Sequence, residues 1–266
     1  MLLTSIKCSN CGAYHDATLE ECPDCHKTNE LRTLKDFPKN VFFLHPVAQI
    51  AVFIIGFAYI GMLMTEIFYS NFLESSMAIA CLTYLTMVIV ILAVILFTRR
   101  KLFFNCFKHL SNYVIGIVIG AIAIGLGIII SMITSIWYQG NENINQAAAE
   151  SVIVVYPLLS FLLFGFLGPI CEELTYRVGF YSFLRRFNKY VAIVATTIVF
   201  AFIHFRFNNE DIVSELVALP QYLLMGFLLT YAYEKGGPSA SMSAHIMYNI
   251  ASTIMTLMRY YYGQHA

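Results

Sequence analysis

Two adjacent carboxylates and an arginine interrupt a segment of the chain that is otherwise built from apolar and aromatic residues. The segment runs over residues 156–184, and Glu172, Glu173 and Arg177 lie near its centre. Ionisable side chains are costly inside a membrane span, so by default they mark a functional site. Glu173 and Arg177 are four residues apart, in the favoured order for an ion pair on one helix face. Glu172 points about 100° away around the helix, which leaves it as a free carboxylate able to take a proton from water.

Two later apolar segments carry polar groups of complementary kinds. His204 ends the run Phe-Ala-Phe-Ile-His, and His245 and Asn249 are one helical turn apart on one face. A carboxylate and imidazoles can activate water, and an imidazole with a carboxamide can donate to a developing oxyanion. The structural alternatives are a core histidine and a polar clamp, each hydrogen-bonded between helices.

The composition predicts an all-α polytopic membrane protein. Of the 266 residues, 59% are hydrophobic and 12% are charged, with a mean hydropathy of +0.69, whereas soluble domains carry roughly 25% charged residues. The net charge is zero, which gives no electrostatic case for nucleic acid. The expected partners are the lipid bilayer and a peptide or membrane-protein substrate. The first forty residues are polar and rich in cysteine and charge, so no cleavable signal peptide is expected.

About seven transmembrane helices are expected between residues 41 and 266, because each apolar stretch is long enough at 1.5 Å per residue to cross roughly 30 Å of hydrocarbon. They are placed at about residues 45–68, 77–97, 113–136, 157–184, 190–207, 212–233 and 239–258. Residues 1–40 form a separate module. In the third span Gly116, Gly120, Gly125 and Gly127 predict close helix packing. Pro169 lacks an N–H and is expected to free a carbonyl in the fourth span.

The Lys and Arg residues predict the orientation. Of the sixteen Lys and Arg residues, thirteen lie in the amino-terminal module and in alternate loops. The other loops hold only two, Arg206 and Arg259, and Arg177 lies inside a span. Since positive loops stay in the cytosol, the amino terminus is expected there and the carboxyl terminus outside. On this map Glu172, His204 and Asn249 each lie ~20 Å along their helices from the cytosolic loops, and His245 ~15 Å. All four are therefore expected at similar depth.

The amino-terminal module carries two Cys-x-x-Cys knuckles, Cys8 to Cys11 and Cys22 to Cys25. Four thiolates can close a tetrahedral zinc site, and a segment this poor in apolar residues needs such a staple. A cytosolic location keeps the thiols reduced. The sequence thus predicts a zinc ribbon with structural zinc. A redox dithiol, disulfides, or a ligand role for His15 or His26 are the alternatives.

The three motifs resemble those of the CAAX proteases and bacteriocin-processing enzymes, the CPBP or abortive-infection family of intramembrane peptidases. That pattern is E-E-x-x-x-R, F-x-x-x-H and H-x-x-x-N, and it is matched over about residues 155–258. The resemblance implies that residues 41–266 are a peptidase domain in which Glu172 and His204 activate water, His245 and Asn249 stabilise the oxyanion, and Glu173 and Arg177 support the site. Members are often labelled metalloproteases, although a glutamate-dependent mechanism is favoured, so a catalytic metal stays open. The family usually has Gly directly after the Arg; here Val178 intervenes.

Other functions fit the same residues. Glu and His chains also form proton relays in transporters, although the chain shows no internal repeat of the Glu pair. A non-catalytic immunity or scaffold protein would use the cluster to hold helices together and the zinc ribbon to recruit a protein partner. Cys171 beside the Glu pair is a nucleophile without a base in its local pattern.

Overall fold

The computed structural model describes residues 6–8, 10–15, 19, 21–28, 42–69 and 75–263. Arg32, Lys35 and Lys39, three of the cations from which the orientation is predicted, lie outside the described residues. Residues 71–74 of the first predicted loop and most of the boundary between the two predicted domains also lie outside them.

A small hairpin forms the amino-terminal module. Strands β1 (Ile6–Lys7) and β2 (Tyr14–His15) pair antiparallel, with Ile6 opposite His15. Each knuckle is followed by a residue with positive φ, Gly12 at 74° and His26 at 56°. That conformation turns the chain back sharply after the second cysteine of each pair. This is the geometry of a zinc-ribbon-like module.

The remaining described residues form seven helices: α1 (Pro46–Tyr69), α2 (Ser75–Asn105), α3 (Leu110–Trp137), α4 (Ile144–Val155), α5 (Pro157–Arg185), α6 (Lys189–Ile203) and α7 (Ile212–Gly263). Among the described residues, five of them (α1, α2, α3, α5 and α7) are long and apolar enough to cross a membrane. The all-α membrane fold is therefore confirmed. The helices nevertheless differ in three places from the seven predicted spans.

The first difference is that the sixth and seventh predicted spans are two arms of α7, which breaks at Gly237 with φ 68° and ψ −159°. Only glycine adopts such a backbone conformation without strain, and Pro238 then begins the second arm. The second difference is α4, a 12-residue helix in the stretch predicted as a loop. It begins at a cap in which the Asn143 side chain accepts from the Gln146 backbone. The third is α6, whose 15 residues end four residues before the predicted span does.

Glycines set the closest helix contacts. A Cβ at Gly116 would lie 2.4 Å from the backbone oxygen of Ala240, and one at Gly120 would lie 3.0 Å from a backbone oxygen of the same arm of α7. The predicted close packing is confirmed there, whereas a Cβ at Gly125 would meet no atom within 4 Å. Gly179, one position later than the family pattern, packs against α1 at Phe53, whose backbone nitrogen a Cβ would approach to 2.9 Å.

The end of the bundle that carries the basic loops is closed by buried polar contacts. Glu234 pairs with Arg185 at 3.0 Å and with Lys189 at 3.5 Å. Arg185 is thus buried in the bundle, although the sequence suggested a loop cation. Ser182 and Tyr233 both donate to the carbonyl of Phe42, at 3.1 and 2.8 Å. These contacts join α5, α7 and the segment before α1 into one packed layer.

Candidate active site

The backbone of α5 changes helical type on both sides of the Glu pair. It is π-helical over Phe161–Leu167, α-helical over Gly168–Glu173 and π-helical again over Leu174–Tyr181. The Gly168 N–H donates to the Leu163 carbonyl, and Pro169 has no N–H to offer. Asn249 supplies the missing donor, since its Nδ2 lies 2.9 Å from the Phe164 oxygen. The prediction that Pro169 frees a carbonyl is confirmed, and the filled bond fixes the Asn249 side chain.

Glu173 and Arg177 form a buried ion pair behind the site. Both side chains are essentially unexposed, and Arg177 Nη1 lies 2.9 Å from Glu173 Oε1. Arg177 also donates to the Gly226 carbonyl at 3.2 Å, and its guanidinium lies 4.6 Å from the centre of the Phe200 ring. The same Oε1 of Glu173 lies 2.9 Å from Nδ1 of His245. The charges of Glu173 and Arg177 therefore neutralise each other, and Glu173 also orients the imidazole of His245.

Glu172, His204, His245 and Asn249 all line one cavity of about 660 Å³. Glu173 and Arg177 are outside its lining, as the difference of about 100° per residue around the helix requires. Glu172 Oε2 is buried and has no hydrogen-bond partner among the described residues. It lies 4.0 Å from Nε2 of His245, too far for a direct hydrogen bond but a spacing that one water molecule can bridge.

His204 occupies the first position after α6, with φ −92° and ψ −7°. Its Nδ1 lies 2.8 Å from the Phe200 carbonyl, which can only accept, so Nδ1 carries a proton. In the neutral ring Nε2 is then the basic nitrogen. The imidazole stacks on Tyr222, with ring centres 4.7 Å apart and planes at 17°. The ring is therefore held on both its face and its edge.

Sequence reasoning missed Tyr222. Its hydroxyl accepts from Asn143 at 3.4 Å and from Asn145 at 3.1 Å, which ties the start of α4 to the ring that stacks on His204. The signal available was a tyrosine inside a predicted span, which is equally typical of core packing. Tyr84 and Tyr248 also line the cavity without a sequence signal that separates them from the core.

Glu215 is a second residue that sequence reasoning missed. It is only 1% exposed. It accepts from the backbone of Ile144 at 3.1 Å, from the backbone of Arg206 at 3.2 Å and from the Asn209 side chain at 2.8 Å. One carboxylate thus joins the start of α4, the turn after α6 and the first arm of α7. Its signal was a lone acid at the start of an apolar span.

The four cysteines of the amino-terminal module form a cluster whose sulfur atoms all lie within 4.8 Å of one another. The Sγ distances are 3.6 Å from Cys8 to Cys25 and 3.6 Å from Cys11 to Cys22. A tetrahedral site with Zn–S bonds of about 2.3 Å needs sulfurs about 3.8 Å apart. All four are free thiols rather than disulfides, so the cluster could bind a metal ion, and neither His15 nor His26 belongs to it.

Hydrogen bonds already favour the thiolate at one of these ligands. The side chain of Asn10 and the backbone of Lys27 lower the pKa of the Cys25 thiol to about 6. The pKa of the Cys11 thiol is instead raised to about 12, because burial and hydrogen bonds with the other three cysteines outweigh the lowering by the Ala13 backbone. Metal binding needs the deprotonated sulfur. The fit of the four cysteines to a zinc ion therefore rests on their spacing and on the preference of zinc for sulfur ligands.

Known proteins resemble part of the chain. Residues 154–251 match the family described as type II CAAX prenyl endopeptidase Rce1-like. The UPF0177 protein YvdC of Lactococcus lactis subsp. lactis is 28% identical over 142 residues, which are 52% of this chain and 52% of that protein. An uncharacterized protein of Mycoplasma capricolum subsp. capricolum is 25% identical over 171 residues, 61% of this chain and 48% of its own.

A third relative, the UPF0177 protein YaiH of Lactococcus lactis subsp. lactis, is 32% identical over 90 residues, 34% of each chain. The chain thus spans about half or less of the length of these curated relatives. No solved structure matches it. The family match includes all three motifs, from the Glu pair to Asn249. Residues 154–251, the segment of this integral membrane protein that holds the motif residues, are therefore similar to the Rce1-like family of type II CAAX prenyl endopeptidases.

Proposed function

We propose that the protein is an intramembrane endopeptidase that hydrolyses a peptide bond of a membrane-associated substrate. The observation that carries this proposal is the unpartnered Oε2 of Glu172, buried in a cavity beside two imidazoles. An unsatisfied carboxylate oxygen in such a place costs free energy unless water or a substrate group fills it. The family match supports protease chemistry for the segment that contains these residues.

Glu172 and His204 are proposed to activate the water. Glu172 takes one proton as the water oxygen attacks the carbonyl carbon, and the basic Nε2 of His204 accepts a hydrogen bond from the same water. The proton then passes to the departing amine nitrogen, which completes the hydrolysis. General acid–base catalysis of this kind contributes about 10²–10⁴-fold in rate.

His245 and Asn249 are proposed to stabilise the oxyanion. Glu173 accepts the Nδ1 proton of His245, which leaves Nε2 as the ring nitrogen on the side of Glu172 and the cavity, where it donates to the oxyanion once it has taken up a proton during the reaction. One amide hydrogen of Asn249 is held by the Phe164 carbonyl, which leaves the second available to the substrate oxygen. Donors fixed in advance in this way are usually the largest single contribution to catalysis. Glu173 and Arg177 are supporting residues.

The amino-terminal module is proposed to lie in the cytosol and to hold a structural zinc ion through Cys8, Cys11, Cys22 and Cys25. The fit of the four sulfur atoms supports the metal. Zinc there would fix the hairpin, which buries too little apolar surface to fold alone. We further propose that the folded ribbon is a docking surface for a protein partner and that the carboxyl terminus lies outside.

Cleavage assays on purified protein in detergent test the catalytic assignment. Peptide products from a library of membrane-associated peptides are compared for the parent, Glu172→Gln and His204→Ala, with Glu210→Gln as the control because Glu210 is exposed and outside the cavity. We expect the first two substitutions to lower turnover at least 100-fold while melting temperature and membrane insertion stay unchanged.

Undiminished turnover in both cavity variants would rule the proposal out. The same proteins are reconstituted in vesicles loaded with a pH-sensitive dye. Proton flux that requires Glu172, without any peptide cleavage, would instead identify a proton-coupled transporter.

A further inference from the structure

We infer that Tyr84 is a further catalytic residue of the cavity, and that its hydroxyl donates a hydrogen bond to the oxygen of the scissile carbonyl as negative charge develops there. This role rests on the proposed peptidase function and adds a donor to the same site. Tyr84 belongs to α2, outside residues 154–251 and outside the three motifs. The position of the phenol and its unpartnered hydroxyl support the role.

Tyr84 lies on the face of α2 that packs into the bundle. Buried residues recur on this helix three or four positions apart, at Tyr84, Met87, Ile91 and Ile95, which is the spacing of one helix face. The Cys171 sulfur lies 3.8 Å from the backbone oxygen of Tyr84, so this face meets α5 one residue before the Glu pair. The helix α2 therefore brings the phenol ring against the helix that carries the proposed base.

A glycine makes room for the Tyr84 hydroxyl beside α5. A Cβ at Gly168 would lie 3.5 Å from the hydroxyl oxygen, which is ordinary van der Waals contact. Gly168 is one helical turn before Glu172, and both residues line the cavity together with Phe164, four residues earlier. Positions four apart share a helix face. The hydroxyl therefore lies beside the row of α5 residues that ends at Glu172.

The Tyr84 hydroxyl and the Asn249 amide lie at the same level of α5. A helix carbonyl points along the axis towards the residues four or five positions later. Asn249 Nδ2 lies 2.9 Å from the carbonyl oxygen of Phe164, so the amide is close to the turn that holds Gly168. The hydroxyl of Tyr84 lies next to that same turn. Two uncharged donors are thus present one turn from Glu172.

The Tyr84 hydroxyl makes no hydrogen bond to any residue that the structure describes. Tyr84 is only 6% exposed and lines the cavity, and its hydroxyl oxygen is not fully enclosed by other atoms, so it opens onto the cavity. Buried tyrosine hydroxyls usually find a hydrogen-bond partner, because an unsatisfied polar group costs free energy. Phenylalanine would fill the same volume without that cost. The hydroxyl is therefore available to a group that enters the cavity.

A phenol hydroxyl has the chemistry of an oxyanion donor. It stays protonated near neutral pH and can donate one hydrogen bond without giving up its proton. The oxyanion would then accept from Tyr84, His245 and Asn249, while the proton of the water still passes from Glu172 to the departing amine. Donors directed at developing charge act in the transition state more than on the bound substrate. Tyr84 is therefore expected to affect kcat rather than KM.

Steady-state cleavage by purified protein in detergent tests this role. Tyr84→Phe removes only the hydroxyl. Tyr176→Phe is the matched control, because the Tyr176 hydroxyl is also buried without a partner among the described residues, but Tyr176 does not line the cavity. We expect Tyr84→Phe to lower kcat about 100-fold with KM nearly unchanged, and Tyr176→Phe to cleave like the parent. Tyr84→Phe should melt at or above the parent, because it breaks no hydrogen bond to a described residue.

Binding of the uncleaved peptide gives a second measurement. The peptide is titrated into Glu172→Gln and into the double variant Glu172→Gln/Tyr84→Phe, neither of which is expected to turn it over. Equal affinity is expected, because the hydroxyl acts on the oxyanion and not on the bound ground state. Affinity that falls by the whole loss in kcat/KM would make Tyr84 a binding residue and would overturn the catalytic role.

The catalytic role and the peptidase function fail in different ways. Unchanged kcat in Tyr84→Phe, while Glu172→Gln abolishes cleavage, would rule out the role of Tyr84 and leave the peptidase function in place. A fall in kcat that Tyr176→Phe shares, or that comes with a lower melting temperature, would assign the effect to packing and would also rule the role out. Absence of cleavage by the parent, or cleavage that does not need Glu172, would refute the peptidase function, and the role of Tyr84 with it.

Discussion

The buried ion pair behind the cavity makes a quantitative prediction that separates stability from catalysis. Glu173→Gln keeps the shape of the side chain and an acceptor for Arg177 but removes the negative charge. The guanidinium, whose side chain is 0% exposed, then loses the charge of the carboxylate with which it is directly paired. Breaking a buried pair in this way costs about 3–5 kcal/mol, which corresponds to a fall in melting temperature of about 6–20 °C for a chain of this size.

The double variant Glu173→Gln/Arg177→Met distinguishes a charge effect from general damage. Arg177→Met alone strands the carboxylate and is expected to cost about as much as Glu173→Gln. Removing both charges together leaves no uncompensated ion, so the double variant is expected to be more stable than either single variant. Turnover stays low in the double variant, because His245 has lost the carboxylate that lies 2.9 Å from its Nδ1.

Thermal melting in detergent and peptide cleavage are measured on the same preparations. Single variants that melt at the temperature of the parent, or losses of the two substitutions that simply add in the double variant, would refute the role of the buried ion pair. Recovery of full turnover in the double variant would show that Glu173 does not act through His245.

Two further predictions concern packing and metal. Gly116→Ala places a methyl group 2.4 Å from a backbone oxygen of α7, so it is expected to lower the free energy of unfolding by about 1–3 kcal/mol. The control Gly125→Ala meets nothing within 4 Å and should melt at or above the parent, so equal losses at both positions in thermal melting would contradict this packing. Elemental analysis is expected to find one zinc ion per chain. Cys22→Ser is expected to lower this zinc content, whereas the control Cys81→Ser leaves it unchanged. Equal zinc content in both variants would count against the four-cysteine site.

Much of the candidate site could be predicted because it depends on local geometry. One residue step on a helix turns about 100°, and this step alone predicts that Glu172 and Glu173 face different sides of the helix. The missing N–H of Pro169 is likewise a covalent fact, and it predicted a free carbonyl, although not that Asn249 would fill it. The roles of these residues in catalysis stay predictions.

The parts that could not be predicted depend on contacts far apart in the chain. The end of α6 at Ile203 is not marked by a glycine or proline, and the apolar residues Phe205 and Phe207 beyond it could equally have belonged to a longer helix. Tyr222 becomes a site residue only because folding brings its ring against His204 and its hydroxyl against two asparagines of another connection. The identity of these partners is tertiary information, which apolar periodicity does not contain.

A buried set of hydrogen bonds and an exposed ion pair lie beside the cavity, and they differ in how strongly they resist separation. Glu215 holds three segments from a buried position, whereas Arg259, at 60% exposure, pairs with Glu142 at the surface. Exposed pairs are worth only about 0–1 kcal/mol, while buried hydrogen bonds to a carboxylate are costly to break. The wall near Glu215 is therefore expected to stay fixed. A bulky peptide would widen the cavity by separating the last turns of α7 from the start of α4, where the exposed pair of Arg259 and Glu142 is the weakest contact.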